Sequence, residues 1–442
     1  MRSGLRWLAA VPDPSTTGAD LPRIALLVPA YEEQHRLAGL AERLCELRYP
    51  DRLLRIVFVT ADAEPAMNGT ASTADVAIDA VRRINAERGS DVAEWCSYPG
   101  VDPSMAVQLN HGLARLGGHT WNVDDTTYVG VIPADAYLHP LALAHVGHQV
   151  RDRRDRTGRR LDALQQPTTH LRTFDTVSVG PNGTLLRAAG VFQSAFALSV
   201  EMPRLRGDRR HGNGWRRPYT PLSGHGLFIR ADVLTGHGGF PVEPWCEDIA
   251  LTFGYYCRGS ELAVVPSVEE NESPLSWGAY LRQSASWFTG STQFVKLVRF
   301  AHRAAPGAGL GTRMSVVLRR LALSVAWVGA PLLCWWAMVT LAVAVSLAVA
   351  LVALVAWAVA VYWSQRPLWL ASRPRAAAGM AMWEILAATV FMLTIAPLGP
   401  LVSITARLLF MPVGKAKTPH GRLAAPSKNG SHHETEGRHI DA

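Results

Sequence analysis

The chain contains few cysteines and few lysines. Its five cysteines show no C-x-x-C spacing and no paired framework. This argues against a zinc site and fits a reducing compartment. The net charge of +8 comes almost entirely from arginine. We find no nucleic-acid recognition motif beside this charge, so we expect no nucleic-acid partner and instead an attraction to anionic membrane lipids.

Charge is missing altogether from one long internal stretch. Residues 321–363 contain no acidic or basic side chain. Since a membrane span needs roughly 20 apolar residues, this length predicts two helices in a hairpin. A second apolar stretch, 376–411, contains Pro397, Gly399, Pro400 and one acid, Glu384. It indicates one span plus a shorter or re-entrant segment. Buried core helices of a soluble domain are the alternative for both stretches.

Basic residues flank both apolar stretches, and positive flanks favour the cytoplasmic side. All flanks can be cytoplasmic only if each stretch enters and returns, which predicts about four crossings. Residues 1–20 contain no apolar region long enough for a signal peptide. We therefore expect a multi-pass protein of the plasma membrane. The predicted parts are an extension (1–22), a cytosolic domain (23–300), a basic interfacial linker (301–320), a transmembrane region (321–411) and a disordered tail (412–442).

Strands and helices alternate along the first 150 residues. Short apolar runs at 24–28, 54–59 and 128–132 predict strands, and helical spacing of apolar residues recurs at 37–47, 74–84 and 105–116. This order predicts an α/β, Rossmann-like domain with a mostly parallel central sheet and helices on both faces. Such sheets bind ligands at the carboxyl ends of their strands.

Polar side chains follow three of these predicted strands. Tyr31 and Glu33 follow the first, Asp62 the second, and Asp135 the run at 128–132. Asp135 is a candidate ligand for Mg²⁺ or Mn²⁺, which take one or two carboxylates together with phosphates and water. The alternative is an aspartate that caps a loop or the following helix.

Further motifs follow in a fixed order. They read V-P-A-Y-E-E at 28–33, A-D at 61–62, Q-L-N-H-G-L at 108–113, P-A-D at 133–135, G-H-G-L-F-I-R at 224–230, G-G-F-P at 238–241, W-C-E-D at 245–248 and Q-S-A-S-W at 283–287. This order resembles the membrane-associated family-2 glycosyltransferases, which have the nucleotide-diphospho-sugar transferase fold. The chain departs from the family pattern at several positions. Glu32 replaces an asparagine, Pro133 the first acid of D-x-D, and Ser286 the arginine of Q-x-x-R-W. Residues 103–105, P-S-M, stand where relatives often carry a lysine.

The resemblance implies transfer of a sugar from a nucleotide-sugar donor, UDP-linked, to a lipid-linked or glycan acceptor at the cytosolic membrane face. It implies an inverting, metal-assisted reaction with Asp248 as general base beside Glu247. By the same resemblance the donor-binding residues are Pro29, Tyr31, Glu33, Asp62, Asn110 and Asp135, with Asp135 holding Mg²⁺ or Mn²⁺. The acceptor-binding residues are His225, Gln283 and Trp287.

Other interpretations stay open for several of these residues. Acids at 247–248 are also explained by the dipole of a helix that starts there. Trp287 is suited to stacking on a sugar or to anchoring at the membrane interface, and His225 to a purely structural loop role. For the whole chain the alternatives are a catalytically impaired binding protein, because of Pro133, and a processive polysaccharide synthase.

Overall fold

A computed structural model describes most of the chain. The described residues are 8, 13–15, 20–64, 71–117, 124–174, 176–177, 181–211, 217, 219–243, 246–371 and 382–409. The tail 412–442 and most of the extension 1–22 lie outside them.

The core of the domain is a seven-stranded sheet. Its strands, with those of a small two-stranded sheet, are β1 Arg23–Pro29, β2 Leu54–Ala61, β3 Ala93–Tyr98, β4 Thr127–Val131, β5 Ala163–Gln165, β6 Thr168–Thr169, β7 Leu227–Arg230, β8 Leu262–Val264 and β9 Glu269–Glu270. The order in the large sheet is β3-β2-β1-β4-β7-β5-β8, and β6 pairs with β9. All neighbours in the large sheet are parallel except β7, which runs antiparallel to β4 and β5. The mostly parallel sheet confirms the predicted fold class.

Helices connect the strands and continue past the sheet. They are α1 Gln34–Cys45, α2 Thr73–Arg88, α3 Met105–Gly117, α4 Ala142–Thr157, α5 Pro181–Phe196, α6 Met202–His211, α7 Ala231–Gly236, α8 Glu247–Arg258, α9 Trp277–Ser291, α10 Phe294–Ala304, α11 Leu310–Ala344, α12 Leu347–Ala371, α13 Met382–Val390 and α14 Leu398–Leu408. A π-helical turn, Ala197–Glu201, joins α5 to α6, and another, Phe391–Ile395, follows α13.

The sheet is buried on both faces, which explains why its strands read as continuous apolar runs. Alternate side chains of β1 enter two different clusters: Ala25 and Leu27 belong to one, and Ile24, Leu26 and Val28 to the other. The sheet is therefore covered on both faces, and a polar ligand can reach it only at the ends of its strands.

Strand β7 reverses direction within this sheet. Since β7 runs against β4, its first residues lie beside the last residues of β4. Gly226 fixes the junction, because its N–H donates to the Val131 carbonyl at 3.1 Å and its φ is +59°. The loop before β7 is thereby placed at the edge of the sheet that carries Asp135.

Three helices in the described residues are long and apolar enough to cross a membrane: Leu310–Ala344, Leu347–Trp369 and Trp383–Leu408. The first apolar stretch forms two helices, as predicted. The second apolar stretch forms one continuous helical segment that contains a π turn. This differs from the predicted span plus a shorter or re-entrant segment. The interfacial segment 301–320 is largely helical, divided between α10 and α11. The number of crossings stays a prediction.

Glu32, in the loop after β1, has a backbone conformation that favours glycine. Its φ is +54°, the one positive value at a non-glycine position among the described residues. We predict that Glu32→Gly is more stable than Glu32→Ala by about 1 kcal/mol, since both lack the carboxylate but only alanine keeps the left-handed penalty. Thermal unfolding of the two purified variants measures the difference. Equal melting temperatures would contradict the assigned strain.

Candidate active site

The first two strands end in a polar group of side chains. Asp62 is exposed and accepts a hydrogen bond from the Ser97 hydroxyl. Glu33 pairs with Arg36 at 2.8 Å, and the Glu33 N–H donates to Thr73 Oγ1 at 3.1 Å. The loop after Pro29, which contains the partly buried Tyr31, is thus held against the start of α2. Asp62 keeps a carboxylate open to a ligand at the end of β2.

Asp135 lies next to this group, at the end of β4. Its electrostatic neighbours are Arg36, Glu272 and His225. Arg36 also pairs with Glu272 at 2.8 Å, so this one guanidinium serves three carboxylates. Burial raises the pKa of Asp135, and the charge of Arg36 opposes that rise. Helix α1, the loop after β4 and the segment after β9 therefore meet at one point.

The donor set around Asp135 suits a metal that is held only partly by protein. Among the described residues no three His, Cys, Asp or Glu side chains are arranged as a closed metal cage. Mg²⁺ and Mn²⁺ do not need one, because phosphate and water oxygens complete their shell. A single carboxylate at Asp135 fits such an ion, and Pro133 supplies no second one.

His225, in the loop before β7, is held by hydrogen bonds on both ring nitrogens. Nε2 lies 2.7 Å from Ser223 Oγ, and Nδ1 lies 3.0 Å from Thr168 Oγ1 and 3.2 Å from Glu269 Oε2. Burial disfavours the charged ring, yet the Glu269 hydrogen bond and nearby carboxylates together raise the pKa of His225. Its ring is thus fixed between Asp135 and the start of α8.

Asp248 begins α8 and is fastened to the same loop. Its Oδ2 accepts the Gly224 N–H at 2.8 Å, and its Oδ1 accepts the Ile249 N–H at 2.6 Å. Glu247 is buried beside it, and a side chain at Gly224 would meet Glu247 Oε1 at 3.1 Å. Burial raises the pKa of Asp248 despite these donors. The result is an oriented, partly exposed carboxylate with increased basicity, which suits a general base.

Helix α9 places the two downstream candidates beside this loop. Gln283 Oε1 accepts a hydrogen bond from Gln193 Nε2 at 3.4 Å. The Trp287 ring lies 6.4 Å from the His170 ring, which lies 6.1 Å from the His225 ring. Trp287 thus belongs to an aromatic row that ends at the site.

The opposite side of α9 packs on a membrane-type helix. Thr289 Oγ1 is 2.7 Å from Ser403 Oγ of α14, and the Thr289 carbonyl accepts from Arg407 at 2.7 Å. The candidate acceptor residues therefore lie at the junction of the catalytic domain and the apolar helices.

The side-chain amide of Asn110 is bonded to the backbone of Phe240. Its Nδ2 donates to the Phe240 carbonyl at 2.8 Å, and its Oδ1 accepts the Phe240 N–H at 2.7 Å. The amide thus clamps α3 to the turn at Gly238–Gly239, where both φ values are positive. The contacts observed at Asn110 are structural, and its donor-binding role stays a prediction.

Several residues of the site have no counterpart in the sequence analysis. Glu269 lies in the short strand β9 and Glu272 follows that strand, so the rule that picked out Asp62 and Asp135 as acids after a strand also applies to Glu272. Glu201, in the π-helical turn, gave no such signal. Burial raises its pKa to about 7, and its charged neighbours include Arg320 and Asp248. Such turns are frequent at functional sites.

Comparison with known proteins agrees with this geometry. A family model described as glycosyl transferase family group 2 matches residues 204–364. This segment includes the loop before β7, the start of α8, all of α9 and most of the first two apolar helices. No curated protein matches the chain.

Solved structures also resemble the chain. One is the mannosyltransferase PcManGT from Pyrobaculum calidifontis, in complex with GDP-Man and Mn²⁺, with 18% identity and a TM-score of 0.46, covering 89% of this chain and 93% of that chain. Another is TarS 1–349 of S. aureus, with 11% identity and a TM-score of 0.43, covering 87% and 91%. Residues 204–364 are therefore similar to the family-2 glycosyltransferases.

We predict that Asn110→Ala lowers the stability of the domain by about 2 kcal/mol, because it removes two part-buried hydrogen bonds. Thermal unfolding with and without saturating UDP measures this. The shift in melting temperature produced by UDP should match that of the wild type. A wild-type melting temperature combined with lost UDP binding would instead make Asn110 a donor-binding residue.

Proposed function

We propose that this glycosyltransferase moves a sugar from a UDP-linked donor to a lipid-linked or glycan acceptor at the cytosolic membrane face. The observation that carries the proposal is the hydrogen bond of 2.8 Å from the Gly224 N–H to Asp248 Oδ2. It ties the candidate base to the loop that the reversed strand β7 delivers next to Asp135.

The donor would bind across the carboxyl ends of β1, β2 and β4. Asp62 is an acceptor-only group when ionised, so it suits a base that presents an N–H, as uracil does. Tyr31 and the loop after Pro29 would border the same base. Arg36 and His225 lie near Asp135 and would offset the negative charge that the diphosphate brings to this point.

Bound Mg²⁺ or Mn²⁺ would neutralise the charge that grows on the departing diphosphate, with Asp135 as its protein ligand. Asp248 would accept the proton of the attacking acceptor hydroxyl. Attack from that side of the sugar, opposite the departing diphosphate, gives the inverted product. The proton transfer requires Asp248 to be ionised when the acceptor binds.

The acceptor side is supported by the position of α9. Gln283 and Trp287 project from a helix that is bonded to α14 through Thr289. An acceptor held in the membrane would reach Asp248 without leaving the surface. Trp287 would stack on its first sugar ring, and Gln283 would donate from its amide group.

Asp248→Asn tests the base directly. We expect kcat to fall by at least about 100-fold, the usual contribution of general base catalysis, while UDP affinity stays near that of the wild type. Asp79→Asn, an exposed helix residue, is the matched control. A variant with unchanged kcat would refute the assignment.

The wild-type rate should also fall as the pH is lowered. Because burial raises the pKa of Asp248, the base takes up its proton at a higher pH than the ordinary aspartate value of about 3.9. The acid limb of the kcat profile should lie above that value.

Asp135→Ala tests the metal. We expect Mn²⁺ to increase the thermal stabilisation that UDP gives to the wild type, since a ligand that binds only the folded state raises apparent stability. The variant should lose this increment and the transfer activity together. Glu272→Ala, which removes a neighbouring carboxylate, is the control and should keep the increment. An Asp135→Ala protein that stays active in chelator would disprove metal binding at this residue.

A further inference from the structure

Arg320, in the first apolar helix, is buried at a position where an exposed side chain is expected. Arg320 is the last charged residue before the uncharged stretch 321–363. Only 7% of it is exposed, whereas its neighbours Leu318 and Leu321 are 56% and 42% exposed. Arginines near the end of a membrane helix normally extend to water, so the inward position of this one requires a reason.

The guanidinium of Arg320 is anchored at one end and open at the other. One Nη donates to Ser291 Oγ, at the end of α9. The Nε has no hydrogen-bond partner among the described residues. A buried charge with unused donors is costly unless an opposite charge lies nearby.

The anchor of this guanidinium lies against the start of α8. Gly290, next to Ser291, packs so closely on Cys246 that a Cβ at Gly290 would lie 2.3 Å from the Cys246 Sγ. Cys246 precedes Glu247 and Asp248 at the start of α8. Arg320 is an electrostatic neighbour of both Asp248 and Glu201, and its positive charge favours the ionised form of each acid.

Asp248 has other titratable neighbours, among them the adjacent Glu247 and the buried Tyr219. His225 faces it from the loop before β7, the N–H groups of Gly224 and Ile249 from the backbone, and Glu201 from the π-helical turn. Arg320 is the cation that comes from the membrane side. Because it lies out of bulk solvent, its charge is screened much less than that of a surface arginine.

We propose that Arg320 is a positioning residue that reaches from the first apolar helix and keeps the carboxylate of Asp248 ionised. The inference rests on the role of Asp248 as general base. The ionisation of Asp248 then depends on how α11 packs against the catalytic domain, because α11 carries Arg320 and continues into the uncharged stretch.

The test compares the pH dependence of sugar transfer for the full chain in lipid nanodiscs. For Arg320→Gln we expect the acid limb of kcat to move up by about one pH unit. The rate on that limb then falls about tenfold at fixed pH, with the donor KM unchanged. Arg320→Lys keeps the charge and should keep the limb near the wild-type position. The control is Arg319→Gln, since Arg319 donates to the Arg217 carbonyl instead; its limb should not move.

A second variant covers the case in which Arg320→Gln does not fold, as judged by loss of UDP binding. Ser291→Ala removes the anchor of the guanidinium and should move the limb in the same direction by a smaller amount. The inference would be overturned if the acid limb of kcat stayed at the wild-type pH in every folded variant, whether kcat itself was unchanged or lowered by the same factor at every pH. An Asp248→Asn protein that remains active would instead overturn the proposed base itself.

Discussion

The reversed strand β7 is the constraint on which the site depends. A wholly parallel sheet would send the segment before β7 to the opposite edge, away from Asp135. Running β7 against β4 brings residues 223–226 to the carboxyl ends of the parallel strands. The Gly224 N–H then holds Asp248 and the His225 ring lies near Asp135. The backbone at Gly226 leaves no room for a larger residue, since a Cβ there would lie 2.9 Å from that of Gln166.

Sequence periodicity predicted three strands, β1, β2 and β4, and three helices, α1, α2 and α3. The apolar runs that became β1, β2 and β4 are buried on both faces, so their hydrophobic signal is continuous. Strand β3, A-E-W-C-S-Y, was missed because most of its side chains are only half-buried. Strand β7 could be placed only by family resemblance, since a four-residue strand shows no direction in its sequence.

The sequence singled out the candidate acids by position, although each also had a structural interpretation. Asp135 and Asp248 stood out as acids after a strand and at a helix start. Asn110 was assigned to the donor by its motif, yet a side-chain amide serves a ligand and a backbone clamp equally well. Arg320 was read only as a topology signal, because its inward orientation depends on the packing of α9 and α11 and leaves no pattern in the sequence.

Acidic and basic side chains from several elements offset one another's charge at the site. Asp135, Asp248, Glu201, Glu269 and Glu272 crowd a region of low solvent access, where like charges raise one another's pKa. Cationic groups from different parts of the chain counter them, among them Arg36 from α1, Arg204 from α6, His225 from the loop before β7 and Arg320 from α11. In the proposed reaction a nucleotide diphosphate would add further negative charge, and a single carboxylate at the D-x-D position would make the site less anionic where the phosphates arrive. Pro133 would then remove one protein ligand for a metal and also reduce repulsion of the donor, so its two effects would oppose each other.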